Sequence, residues 1–532
     1  MKRHSSLGSG IAAALVLGIT PAVANTPSDA LVMAWNIDAI SSFDPAQIAE
    51  VVTDEIIRNT CDSIVDFDPE DSSQFIPGLA ESWEVSDDGL TVTFTLKEGI
   101  VFPDGSSGSA QDLVWSLHRV LQLGYGNAAA LTEFGFTAEN VEEMIFAEDD
   151  RTVVMKLDRP YPVSLVMASI AANRVAVMLN REVLEANAEG DDLGNAWLAT
   201  RTECVGPYSL ARWNAGEVVM LQANENYTGD APHLPRVLIR HVAEAGTQRL
   251  LLEQGDVDVA RNLSPEDIAE LAQRDDIVVS QVLTPQMYYL SMNNSHPAFE
   301  DARVRLAMRY LIDYQGLGDS VMEGVGVPRA SFVPIGVAGA LSEEEGQPFS
   351  VDIDRARELL AEAGYADGLT VSMLIGSHAI SSTVAQNIQE NATQAGVTFN
   401  IEQMANAQLF ARHRARDFDT LLVGYRSPVP DANGMASRFV FNPDNDPEAQ
   451  LTQYVSWRSA YYNEDANAAV EAALFEADPE ARIGLYEELQ RSQMEEGAQA
   501  FIMQSIDNAL HRSEVQNWTW NGLRVYLNHV SK

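Results

Sequence analysis

The chain has 532 residues and a formal net charge of −43, a balance that repels nucleic acid and anionic lipid and sets both aside as partners. Its length exceeds what one core can organise and calls for two or three domains, and a hydrophobic content of 46% is enough to fill them. Lysine is nearly absent (Lys2, Lys97, Lys156 and Lys532), so arginine carries almost all the positive charge.

The opening residues read as an export signal: Lys2 and Arg3, an apolar run over residues 11–19, then the small-residue site Ala22-Val23-Ala24. Cleavage is expected after Ala24, leaving residues 1–24 as the signal peptide. The run is shorter than the ~20 residues that cross a bilayer, and no comparable run follows. Cys61 and Cys204 form an even pair in an exported chain, which favours a disulfide. Neither lies in a C-x-x-C spacing, so redox and zinc roles lack support.

Residues 31–35 (LVMAW) read as a buried strand, Phe43-Asp44-Pro45-Ala46 as a turn, and residues 47–59 as a helix with Val51, Val52, Ile56 and Ile57 on one side. Strands follow at 83–85 and 91–97, joined by the hairpin signal Asp87-Asp88-Gly89. Ser109 with Asp112 caps a helix from Ala110, whose Leu113, Leu117, Val120 and Leu121 form an apolar face. Gly206-Pro207-Tyr208 opens strands at 208–213 and 218–223. A strand at 236–241 and a helix at 245–254 follow. Beyond Thr284-Pro285 the alternation restarts, with strands expected at 287–292, 369–374, 398–403 and 418–423, and helices between them. Two acidic helices, at 465–476 and 479–495, precede a last strand at 501–505. Such alternation indicates an α/β fold. A boundary near 281–286 and a return near 500–506 would make two lobes joined by two crossings.

Catalytic signatures are missing. The sequence holds no H-E-x-x-H, no G-x-S-x-G and no Walker A run, and its nine histidines show no i,i+4 pair. Residues 124–129 have G-x-G-x-x-A spacing but follow a helix rather than a strand, so a dinucleotide reading fails in context.

Residues 79–89 (LAESWEVSDDG) and 91–99 (TVTFTLKEG) closely resemble the signature of the family 5 extracellular solute-binding proteins, which include the oligopeptide- and dipeptide-binding proteins of ABC importers. The likeness continues through residues 101–105 and Ala110-Gln111-Asp112-Leu113. It resumes at Val205-Gly206-Pro207-Tyr208, Asn224 with Tyr227, residues 299–307, Asp417-Phe418-Asp419 to Gly424-Tyr425, and Tyr462-Asn463. The resemblance implies an α/β two-lobed periplasmic binding protein (type II, cluster C-like) with an extra inserted subdomain and a hinge of two crossings. Residues 25–60, 186–282 and 504–532 would form the core of lobe I, 61–185 the inserted subdomain, and 283–503 lobe II. It also implies a monomer without cofactor or catalysis, located in the periplasm of a Gram-negative bacterium. That monomer would hand a small ligand to ABC permease subunits.

The resemblance further directs attention to the segment after Gly424. Peptide-binding members place an aspartate three residues beyond the aromatic, where it pairs with the peptide α-ammonium; here Pro428 stands there. Asp431 is the substitute expected, unless the ligand lacks a free amine. Arg426 either binds an anionic ligand group through its fork or pairs with an acidic neighbour. Tyr425 is either a lid or packing. Asn36 and Asp38, after the first strand, and Trp457 and Arg458, before Tyr462-Asn463, complete the expected ligand contacts. The ligand is expected to be a peptide or peptide-like compound; the alternatives are an oligosaccharide, an opine-like conjugate or a metal chelate.

Overall fold

A computed structural model describes residues 26–48, 50–71, 74–377, 379–427 and 429–532. The expected signal peptide and Pro428 lie outside these residues.

Two long strands organise the molecule. Ile277–Met292 and Gln499–Arg512 pair antiparallel along nearly their whole length. On one side they continue into Val259–Ala260, Ala30–Trp35, Arg236–His241, Val218–Ala223 and Tyr208–Asn214. On the other they continue into Thr420–Arg426, Leu369–Ile375 and Val397–Gln403. The result is a two-lobed α/β fold in which, among the described residues, this strand pair joins the two strand groups. Its register breaks between Leu283 and Met287, around Pro285, which has no N–H to give to a ladder. Gln504 knits the break: its side-chain amide donates to the carbonyls of Thr284 and Ile335, each at 3.1 Å, and accepts from Ile335 N at 2.7 Å.

The first strand, ALVMAW, is buried at every position and lies parallel to Arg236–His241, as a continuous apolar run requires. A separate four-stranded antiparallel sheet (Ala80–Val85, Thr91–Leu96, Thr152–Lys156, Ile145–Ala147) packs against helix Ala110–Leu123. Its hairpin turns at Gly89, whose φ of 69° suits glycine. The capping pair forms, with Ser109 N donating to the Asp112 carboxylate at 2.9 Å.

Cys61 and Cys204 are disulfide-bonded, tying the end of helix Val51–Thr60 to the segment that opens the strand at Tyr208. The adjoining motif residues serve the same junction. A Cβ on Gly206 would sit 2.4 Å from the Thr60 carbonyl oxygen, so only glycine fits there. Asn224 donates to the Gly206 carbonyl at 3.0 Å, and the Tyr227 hydroxyl donates to Asp62 at 2.7 Å.

Candidate functional site

Strands Leu369–Ile375 and Thr420–Arg426 run parallel, and the carboxyl end of the second opens onto the space between the lobes, where open α/β sheets place ligands. The segment after Arg426 enters this space. Val429 is buried in the core formed by the separate four-stranded sheet and its helices. Ser427 Oγ donates to the Val429 carbonyl at 2.8 Å, and helix Ala432–Phe439 starts directly against this turn. A side chain at Gly434 would come within 2.8 Å of Ser427 Oγ.

A cavity of about 600 Å³ lies here. One wall carries Glu133, Phe134, Arg159 and Tyr161, and the opposite wall Tyr425, Ser427, Asn433 and Arg438. Glu471 and Phe475, from helix Glu464–Phe475, complete the lining on the second side. Aromatic rings cluster on the cavity walls: Tyr161 meets Phe134 edge-on at 5.0 Å and Phe475 at 5.6 Å. Tyr425 stands edge-on to Phe439 at 5.3 Å. Burial pushes the Tyr425 phenol above its ordinary value, against the opposing pull of the neighbouring Arg438. Arg438 donates to Glu133 at 2.7 Å across the cleft. Burial lowers the Arg438 guanidinium, but Tyr425 and Glu133 outweigh it and hold its value above the ordinary one. A second cavity, of about 560 Å³, lies along the long strand at Leu283 to Pro285, against Ile335, Trp518 and Trp520.

Of the seven expected ligand contacts, Tyr425 alone lines the first cavity. Asn36 and Asp38 sit on an exposed loop: the Asn36 side chain accepts from Asp38 N at 3.0 Å, and Asp38 lies 3.3 Å from His241. Arg426 donates instead to the Gly522 carbonyl at 2.8 Å and to Asp507 at 3.2 Å, which fastens the strand end to the carboxyl-terminal segment. Asp431 is buried and already saturated. It accepts from Asn433 N at 2.8 Å as the cap of its helix, and from Arg482 at 3.0 and 2.7 Å. Trp457 is a core residue, with its indole N–H on the Asp446 carbonyl and the Arg416 guanidinium 3.8 Å from its ring. Arg458 spends its Nε on the Thr452 carbonyl at 2.7 Å and lies outside the lining.

The charged lining residues Glu133, Arg159, Arg438 and Glu471 escape sequence reasoning because the chain is rich in such residues. The usable signals are Pro160-Tyr161-Pro162, which holds an aromatic in a stiff turn, and an exposed Phe475 on an acidic helix.

The family described as "Bacterial extracellular solute-binding proteins, family 5 Middle" matches residues 74–447. The chain is 26% identical over 540 residues to the probable D,D-dipeptide-binding periplasmic protein DdpA of Escherichia coli K12, covering 100% of both chains. It is 28% identical over 422 residues to the glutathione-binding protein GsiB of Salmonella typhimurium, covering 77% of each. Among solved structures it resembles the periplasmic binding protein DppA of Helicobacter pylori in complex with the peptide STSA. The TM-score is 0.76 at 21% identity, over 94% of this chain and 98% of that one.

Proposed function

Because the chain belongs to the bacterial extracellular solute-binding proteins of family 5, we propose that it captures a peptide or peptide-like ligand between its lobes and delivers it to an ABC importer. The observation that carries this reading is the cavity of about 600 Å³ walled by both sides of the cleft, with the Glu133–Arg438 pair spanning it. A ligand that touches both walls binds the closed form better than the open one and so draws the equilibrium toward closure.

In this reading residues 25–60, 186–282 and 504–532 form one lobe, 61–185 its inserted subdomain, and 283–503 the second lobe. The register break between Leu283 and Met287 then lies where the long strands cross between the lobes. The protein works as an exported periplasmic monomer, binds its ligand without altering it, and presents the closed shape to the permease. The relatives named for D,D-dipeptides and glutathione support a short peptide as the cargo.

A thermal-shift screen of ligand-stripped protein tests this, using alanyl-alanine in L,L and D,D forms, glutathione, opines, oligosaccharides and nickel chelates. A cargo at 100 times its Kd stabilises the protein by about 2.7 kcal/mol. A rise in Tm with a peptide supports the reading. A rise confined to sugars or chelates overturns the peptide assignment.

A further inference from the structure

Resting on the peptide reading above, we propose that Glu471 is the counter-charge for the ligand's ammonium and that Arg159 receives its carboxylate. The ammonium has few alternatives. Pro428 supplies no carboxylate, and both oxygens of Asp431 are taken by Arg482 and by the helix it caps. Two carboxylates line the cavity, Glu133 and Glu471. Glu133 is held by Arg438, whereas Glu471 is exposed and has no hydrogen bond or ion pair among the described residues. An ammonium enclosed without a carboxylate is strongly disfavoured, which makes the free Glu471 its partner.

Arg159 lies at the same end of the cavity. Glu471 and Phe475 are one turn apart on helix Glu464–Phe475 and therefore share a face. The Arg159 guanidinium is 5.6 Å from the Phe475 ring and 5.9 Å from the Tyr161 ring. These two rings steady the fork, and its contact with Asp158 is long, at 3.4 Å, and solvent-exposed. An exchange of that contact for a ligand carboxylate therefore costs little. A carboxylate and a guanidinium beside one aromatic surface match a ligand that carries both an ammonium and a carboxylate. A cavity of about 600 Å³ suits a dipeptide or an amino-acid conjugate rather than a long peptide. The small polar residues Ser427, Asn433 and Ser437 face the remainder of the ligand.

Isothermal titration of wild type and Glu471→Gln with alanyl-alanine and glutathione, each free and N-acetylated, tests the assignment. Glu471 has no partner among the described residues, so Glu471→Gln keeps the wild-type Tm when no ligand is present. N-acetylation is expected to weaken binding to wild type at least about tenfold, as loss of a charge-assisted hydrogen bond does. Glu471→Gln weakens binding of the free amines by a similar factor and binds the acetylated forms as wild type does. Arg159→Gln repeats this pattern for C-terminal amides. Equal affinity of Glu471→Gln and wild type for the free amines overturns the assignment and leaves the peptide reading standing, as does an acetylation penalty as large in the variant. Failure of wild type to bind any of these compounds overturns the peptide reading itself.

Discussion

Arg438 donates to Glu133 at 2.7 Å, and the two residues belong to opposite walls of the cleft. Their side chains are 25% and 49% exposed, so the pair contributes at most about 1 kcal/mol. That is small for the fold but enough to shift an open–closed equilibrium about fivefold. Glu133→Gln is expected to leave Tm nearly unchanged while expanding the ligand-free protein in small-angle scattering. An unchanged radius of gyration would show that the pair does not hold the lobes.

Asp431 anchors the helix that forms the cavity wall. Removing its carboxylate leaves the buried Arg482 guanidinium without its counter-charge and the helix uncapped. Asp431→Ala is expected to cost about 3–5 kcal/mol, read from urea unfolding. Loss of affinity without loss of stability would mark Asp431 as a ligand contact instead.

The Cys61–Cys204 bridge spans 143 residues of sequence, and constraining so long a loop in the unfolded chain stabilises the fold by up to about 5 kcal/mol. Dithiothreitol should therefore lower Tm markedly in wild type. It should have no effect on a Cys61→Ser/Cys204→Ser variant, whose Tm is already low.

His413 is buried beside Phe418, and both of its ring nitrogens lack a hydrogen-bond partner among the described residues. Burial, with the neighbouring Arg458 and Arg414, holds the imidazole well below its ordinary value. The unfolded chain therefore takes up the proton first as pH falls below ~6.5, and stability decreases from there downward. Between pH 7.5 and 5.5 wild type should lose more stability than His413→Leu, by on the order of 1 kcal/mol, in chemical denaturation at each pH. Equal losses would mean that His413 takes up its proton in the native state as readily as in the unfolded one.

The elements that bury apolar runs were legible in the sequence. Residues 31–35 and 236–241, and the amphipathic helix from Ala110, fold close to expectation. The sequence marks only parts of the two long strands, 287–292 and 501–505. Their other halves, IVVSQVL and IDNALHR, mix polar and apolar residues, and Thr284-Pro285 reads as a stop although pairing resumes beyond it. The candidate site was largely illegible. Asp431 and Arg426 carry the chemistry of ligand contacts, yet the fold brings Arg482 to the first and Asp507 to the second. Those partners come from distant segments, and no local pattern announces them.

Lobe closure around a peptide is measured most directly with one fluorophore on each side of the cleft, at Val85→Cys and Val351→Cys. Both positions are surface-exposed, and the native cysteines are already bonded to each other. Titration with alanyl-alanine or glutathione should give one saturable shortening of the inter-dye distance, with the peptide recovered chemically intact. Binding without any change in distance, or recovery of a cleaved peptide, would contradict a clamp that captures and releases its cargo.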